Sequence, residues 1–193
     1  MKKLYLALDI GNVCIKIDRS RCLDKLGLAG FTDEMFSLAR DFEWGKMREE
    51  DFFKSFVSLL PERKSFQECL DAFNSILVEP VPEMCELVKE FLSRGVTPVF
   101  FSDISPTHLS QTRKIFPASE FVPDGIYSFE VGAWKPSVEM FSAFEKRFDV
   151  PILYTDDREE LIAGALAHGW NAVRFTDAEK LSEALNNALK HHR

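Results

Sequence analysis

A chain of 193 residues, 46% hydrophobic and 28% charged, has room for one domain of ordinary size with a small insert, and has the balance of a soluble globular protein. Its net charge of -7 speaks against nucleic-acid and anionic-membrane binding, since both call for a basic face. No stretch is apolar for long enough to span a bilayer, and the short apolar run near the start is broken at Asp9 and makes no signal peptide, so a cytoplasmic setting is expected.

In chain order, Tyr5 to Leu8 predicts a buried strand that stops on Asp9, with Gly11 two residues later. The block from about Arg19 to Glu79 predicts a small all-helical bundle. One helix starts at Thr32, with Asp33 and Glu34 in its first turn. Phe53, Phe56, Val57 and Leu60 keep the i, i+3, i+4, i+7 spacing of an amphipathic helix, and Phe66, Cys69, Leu70 and Phe73 repeat it after the breaker Pro61.

From Pro80 the pattern changes. Met84, Leu87, Val88, Phe91 and Leu92 predict a helix closing at Gly95. VTPVFFSD predicts a buried strand ending on Ser102 and Asp103, followed by a helix capped by Ser105 with Pro106 at its first position. Phe141, Phe144 and Phe148 mark another helix. PILYTDD is a strand ending on Asp156 and Asp157, ELIAGALAHG a helix closing at Gly169, NAVRF a strand, and DAEKLSEALNNALK a last helix. The cysteines Cys14, Cys22, Cys69 and Cys85 form no CxxC pair and read as reduced thiols. His191 and His192 read as part of a frayed tail.

Strands alternating with helices predict a parallel sheet covered on both faces, with ligands beyond the carboxyl ends of its strands. Asp9, Ser102–Asp103 and Asp156–Asp157 all stand at such ends. Clustered carboxylates repel one another and require a positive partner. Their all-oxygen character favours Mg²⁺, and a hydroxyl at Ser102 with an ammonium at Lys135 would complete a phosphate cradle. A carboxylate in such a cradle can act as a nucleophile towards phosphorus.

LALDIGNV, VFFSD, GAWKPS and YTDDREELIAGALAHG, in this order, resemble the four motifs of the haloacid dehalogenase-like (HAD) hydrolase superfamily. The branch they resemble opens with DxGN or DxGG and includes sugar-phosphate phosphatases like glucose-1-phosphate phosphatase; the phosphatase-like domain of epoxide hydrolases lies nearby. The resemblance implies a Rossmann-like α/β core, residues 1–18 and 80–193, with a small helical C1-type cap, residues 19–79, inserted after the first strand. EWGKMREEDFF resembles the cap pattern of these proteins.

The resemblance implies an Mg²⁺-dependent phosphatase acting on a small phosphorylated metabolite through an aspartyl-phosphate. Asp9 would be the nucleophile. Asp9, the Gly11 carbonyl, Asp156 and Asp157 would bind Mg²⁺. Ser102, Asp103 and Lys135 would hold the phosphoryl group. Three positions depart from the pattern: Gly11 replaces the usual acid–base aspartate, Asp103 a frequent asparagine, and Leu161 a polar residue near the metal. These departures keep a weak or non-catalytic binding protein as the alternative, and a metal-free haloacid dehalogenase as a second. Trp44 and Arg48 are candidate substrate contacts, with packing the equal reading for Trp44; His108 is a candidate for the missing proton donor, with a surface position on its helix the expected one.

Overall fold

The computed structural model describes residues 3–191; the first two residues and the last two, His192 among them, lie outside the described residues. Strand β1 (Leu4–Leu8) is followed by the short β2 (Ile15–Ile17). Helices α1 (Ser20–Leu26), α2 (Asp33–Glu43), α3 (Glu49–Ser58) and α4 (Phe66–Asn74) come next. The chain then runs through β3 (Leu77–Pro80), α5 (Pro82–Ser93), β4 (Val96–Ser102), α6 (Pro106–Ile115), a 3₁₀ turn (Pro117–Phe121) and β5 (Gly125–Tyr127). It ends with α7 (Ser128–Val131), α8 (Val138–Phe148), β6 (Leu153–Asp156), α9 (Glu159–His168), β7 (Ala172–Arg174) and α10 (Ala178–His191).

Five strands form one sheet in the order β5-β4-β1-β6-β7, with every neighbouring pair parallel. Alternation along the strands sends side chains to opposite faces. Leu6, Leu8 and Phe100 pack with Val88, Phe91, Leu181 and Leu185 on one face. Ala7, Val99, Phe101 and Tyr154 pack with Met140, Phe141, Phe144 and Trp170 on the other. Both faces are thus dry, which is why these strands read as continuous apolar runs. The register sets Leu8 beside Phe100 and beside Thr155, so the carboxyl ends of β1, β4 and β6 emerge together.

The helices between β2 and β3 have their own apolar centre, with Phe42, Phe52, Phe53, Phe56 and Phe73 buried against one another. Their starts are set locally. Thr32 Oγ1 accepts the Met35 N–H at 3.2 Å, and Ser65 and Glu68 form a reciprocal capping box. Leu60 falls beyond the end of α3 at Ser58, in the turn before Pro61. β2 and β3, an antiparallel ribbon, and the edge strand β5 are additions to the sequence expectation: each is three or four residues long, and no helical pattern closed by a glycine precedes it, as the α9 pattern closed at Gly169 precedes the equally short β7. The four cysteines are all free. Among the described residues no helix is long and apolar enough to cross a membrane.

Candidate active site

The site forms where β1, β4 and β6 end. The Asp9 N–H donates to Thr155 O at 3.1 Å, which ties the first carboxylate's backbone to β6. Lys135 arrives from the loop between α7 and α8, and its bond to Pro136 is cis. Its ammonium donates to Asp9 Oδ1 at 2.7 Å, to Asp156 Oδ2 at 2.6 Å and to the Phe101 carbonyl at 3.0 Å. The rings of Phe101 and Tyr154 flank it at 5.6 and 5.7 Å. Only 1% of the Lys135 side chain is exposed, so this cation has no solvent alternative to its carboxylate partners.

Each neighbouring group is fixed in turn. Asp156 Oδ2 also accepts the Tyr154 hydroxyl at 2.6 Å, and Asp156 Oδ1 accepts the Arg158 N–H at 3.0 Å. Asp157 Oδ2 accepts the Asn12 amide at 2.9 Å, while Asn12 Oδ1 accepts the Ile17 N–H at 3.0 Å. Asn12 itself adopts φ 52°, a left-handed conformation that asparagine tolerates. Asp103 accepts the Lys135 backbone N–H at 3.0 Å and pairs with Arg158 at 3.1 Å. It therefore holds the lysine loop in place as well as facing the cavity.

Burial lifts the Asp9 carboxyl to about 7; the Lys135 ammonium pulls it down, and Asp156 adds to the rise. Ser102, buried beside it, helps stabilise the ionised form. Burial also works to raise Asp156, but Lys135, Tyr154 and Arg158 outweigh it and hold that carboxyl below its ordinary value. Burial lowers Lys135, yet Asp9, Tyr154 and Asp156 keep it well above the ordinary lysine range.

Asp9, Asp156 and Asp157 place one carboxylate oxygen each within 4.8 Å of one another. With Asp9 ionised, these carboxylates together with Asp103 outnumber the two cations paired with the group, Lys135 and Arg158, by two. An all-oxygen donor set with that charge fits a hard divalent cation. The Gly11 carbonyl accepts no backbone hydrogen bond among the described residues, which leaves it available as a neutral donor.

The sequence-derived residues Asp9, Gly11, Ser102, Asp103 and Asp157 all line one cavity of about 780 Å³; Lys135 and Asp156 are not in its lining and join it through the Lys135 ammonium, which bonds both Asp9 and Asp156. The helices α2, α3 and α4 supply the opposite wall, including Phe36, Arg40, Phe56 and Phe73. Trp44 packs edge-on against Trp134 at 5.9 Å. Arg48 is exposed and paired with Asp51, outside the cavity lining. Leu161 is buried, so no polar group occupies its position near Asp156 and Asp157.

One expectation is corrected. His108 is buried, not on the surface, with its ring stacked on Phe73 at 4.0 Å. Its Nε2 lies 3.0 Å from the Phe73 carbonyl, which can only accept, so Nε2 carries the proton. Burial lowers its pKa to about 4, against the raising effect of that hydrogen bond. The long-range approach of α4 to α6, invisible in helical periodicity, covers it. Glu43, the last residue of α2, lines the same cavity; the sequence reading includes it only as the first residue of EWGKMREEDFF and gives it no role.

No family model matches the sequence, and no curated protein matches it. Solved structures do match. A HAD family enzyme from Bacteroides thetaiotaomicron, crystallised as the wild-type protein with magnesium and inorganic phosphate, is 22% identical, with 90% of this chain and 94% of that one covered and a TM-score of 0.79. A HAD-like family hydrolase from Porphyromonas gingivalis is 20% identical, with 98% of each chain covered and a TM-score of 0.80. L-2-haloacid dehalogenase from Xanthobacter autotrophicus is 14% identical, with 94% of this chain and 81% of that one covered and a TM-score of 0.62. Likeness at these identities establishes the fold, which is the HAD-like α/β fold that the four motifs imply.

Proposed function

We propose that this chain is an Mg²⁺-dependent phosphatase that hydrolyses a small phosphate monoester, a sugar phosphate being the class we favour, through an aspartyl-phosphate on Asp9. The observation that carries this reading is the contact of one buried ammonium, Lys135, with both Asp9 and Asp156, beside a third carboxylate at Asp157. A bacterial enzyme of the same fold was crystallised with magnesium and phosphate, which supports the assignment of both.

In this reading Asp9, Asp156, Asp157 and the Gly11 carbonyl hold Mg²⁺, which when bound neutralises charge on the phosphoryl group and the carboxylates. Lys135 orients Asp9 through Oδ1 and leaves Oδ2 for attack on phosphorus. Ser102 donates to a phosphoryl oxygen, and Asp103 keeps Lys135 in place through its backbone N–H. Fixed donors aimed at developing charge need no reorganisation during the reaction. The helices of residues 19–79 act as a cap that selects the leaving group, and residues 1–18 and 80–193 act as the catalytic core.

A weaker or non-catalytic binding role is the second reading, favoured by the absence of a side chain at Gly11. A haloacid dehalogenase is disfavoured, since a metal-free site has no use for Asp157 beside Asp9 and Asp156. The deciding experiment is phosphate release from a panel of sugar phosphates and an activated aryl phosphate, with Mg²⁺ or EDTA, for the wild type and Asp9→Asn. Metal-dependent release that is lost in the variant supports the phosphatase. A folded, Mg²⁺-binding protein that releases nothing sinks it in favour of binding.

A further inference from the structure

Hydrolysis of an unactivated phosphate needs a proton for the departing alkoxide, and Gly11 has none to give. The described residues lining the cavity include few alternatives. His108 donates its Nε2 proton to the Phe73 carbonyl and is stacked in the core. Asp103 is committed to the Lys135 N–H and Arg158.

Glu43 differs. It closes α2 on the wall facing Asp9 and Ser102. Its backbone is pinned to the core, because the Ser128 hydroxyl donates to the Glu43 carbonyl at 2.7 Å. The next residue, Trp44, lies edge-on to Trp134, the neighbour of Lys135. Gly45 then packs so tightly on the Phe129 carbonyl that a Cβ there would collide with it. Three successive residues thus fix this helix end beside the lysine loop. No hydrogen bond or ion pair engages the Glu43 carboxyl among the described residues, although the residue is half-buried.

We propose that Glu43 is the acid–base residue of this site, replacing from the helical wall the side chain that Gly11 lacks. The inference rests on the phosphatase reading. As Asp9 Oδ2 bonds to phosphorus and the P–O bond to the leaving group breaks, the Glu43 carboxyl passes its proton to the departing oxygen. The alcohol leaves, and Glu43 is a carboxylate. That carboxylate then takes a proton from the water that attacks the aspartyl-phosphate. The bond between phosphorus and Asp9 breaks, phosphate leaves, and Glu43 is protonated again. The charge environment agrees: burial and the nearby Asp103 raise Glu43 to about 7, with Arg19 and Arg158 opposing. A group poised near neutrality serves both half-reactions.

The test compares Glu43→Gln with the wild type on an activated aryl phosphate and on the best sugar phosphate of the panel, across pH. A good leaving group needs no proton, so the first-turnover burst of aryl alcohol, which reports only the transfer of phosphoryl to Asp9, stays within about threefold and reports an intact nucleophile. Sugar-phosphate turnover falls by about 10²–10⁴-fold, the range of acid–base catalysis. Its decline above neutral pH in the wild type disappears in the variant. Adding Gly11→Asp restores it, since a Cβ at Gly11 meets only ordinary contacts, with Ile17 at 3.4 Å and Asp9 at 3.9 Å. An aryl-alcohol burst slowed as much as the sugar-phosphate turnover, or no loss on the sugar phosphate, overturns the assignment of Glu43 and leaves the phosphatase standing. Absence of Asp9-dependent release from the aryl phosphate overturns both.

Discussion

The ammonium of Lys135 stands 2.6 Å from Asp156 Oδ2, with 1% and 0% of the two side chains exposed. Because Asp9 shares the same ammonium, removing it leaves two carboxylates, one fully and one largely buried, without their cation. Breaking a buried pair of this kind costs about 3–5 kcal/mol, more than an exposed pair ever contributes. Lys135→Met is therefore expected to unfold at a markedly lower temperature. Phosphate release should also fall by at least about 10²-fold, as for loss of a single preorganised charge stabiliser. Arginine should not rescue it, since Phe101 and Tyr154 confine the space around the ammonium. Thermal melts and phosphate assays on Lys135→Met and Lys135→Arg check both points.

Mg²⁺ is expected to stabilise the fold. A ligand that binds only the native state at a hundredfold excess over its Kd adds about 2.7 kcal/mol. Melting curves with Mg²⁺ and with EDTA should then differ by several degrees. Asp157→Asn, which removes one charge at the open side of the cluster, should shrink that difference. An unchanged Mg²⁺ shift in this variant would exclude Asp157 as a ligand.

His108 gives a pH dependence with a definite sign. Its ordinary pKa of 6.5 in the unfolded chain drops to about 4 in the folded protein. As pH falls through this window the unfolded chain takes up the proton first, so native stability declines. The contribution is fully present above about 6.5 and lost towards 4, on the order of 3 kcal/mol in all. Urea melts at pH 7.5 and 4.5 should show a steeper loss for the wild type than for His108→Gln, which cannot titrate. Parallel losses would mean that the ring is hydrated in the folded state.

Gly45 adopts φ +69°, and a Cβ there would meet the Phe129 carbonyl. Gly45→Ala combines a disfavoured backbone conformation with that collision and is expected to cost more than about 1 kcal/mol. Because this turn anchors the end of α2 beside Trp134, sugar-phosphate turnover should fall in the same variant. Phosphate assays below its melting temperature would separate the two effects.

The strand ends were readable in the sequence because the chemistry there is abrupt: an apolar run stops on Asp9, on Ser102 or on Asp156. Lys135 was readable only through its motif, since nothing local announces a lysine buried against a residue so distant in the chain. His108 was misread for the same kind of reason. It lies in the first turn of α6, where residues commonly face water, and only the approach of Phe73 encloses it. Glu43 did leave a trace. An acid at a helix C-terminus faces the negative end of the helix dipole, so its placement opposes local electrostatics and invites another explanation. The ribbon strands were short, and no helix closed by a glycine came before either to mark where a strand should begin.

That ribbon bears on how such a molecule can diversify. Ile15 and Ile17 of β2 lie against Pro80 and Leu77 of β3, and the Asp18 N–H reaches the Ile76 carbonyl at 2.9 Å. The chain thus departs from the sheet and returns to it through one narrow neck. Since closure entropy rises only slowly with the length of the excursion, lengthening or replacing everything beyond the neck perturbs the sheet little. In the proposed reading, the chemistry at the strand ends and the choice of what reaches it would be carried by segments that can be inherited separately, like a tool head on a common handle.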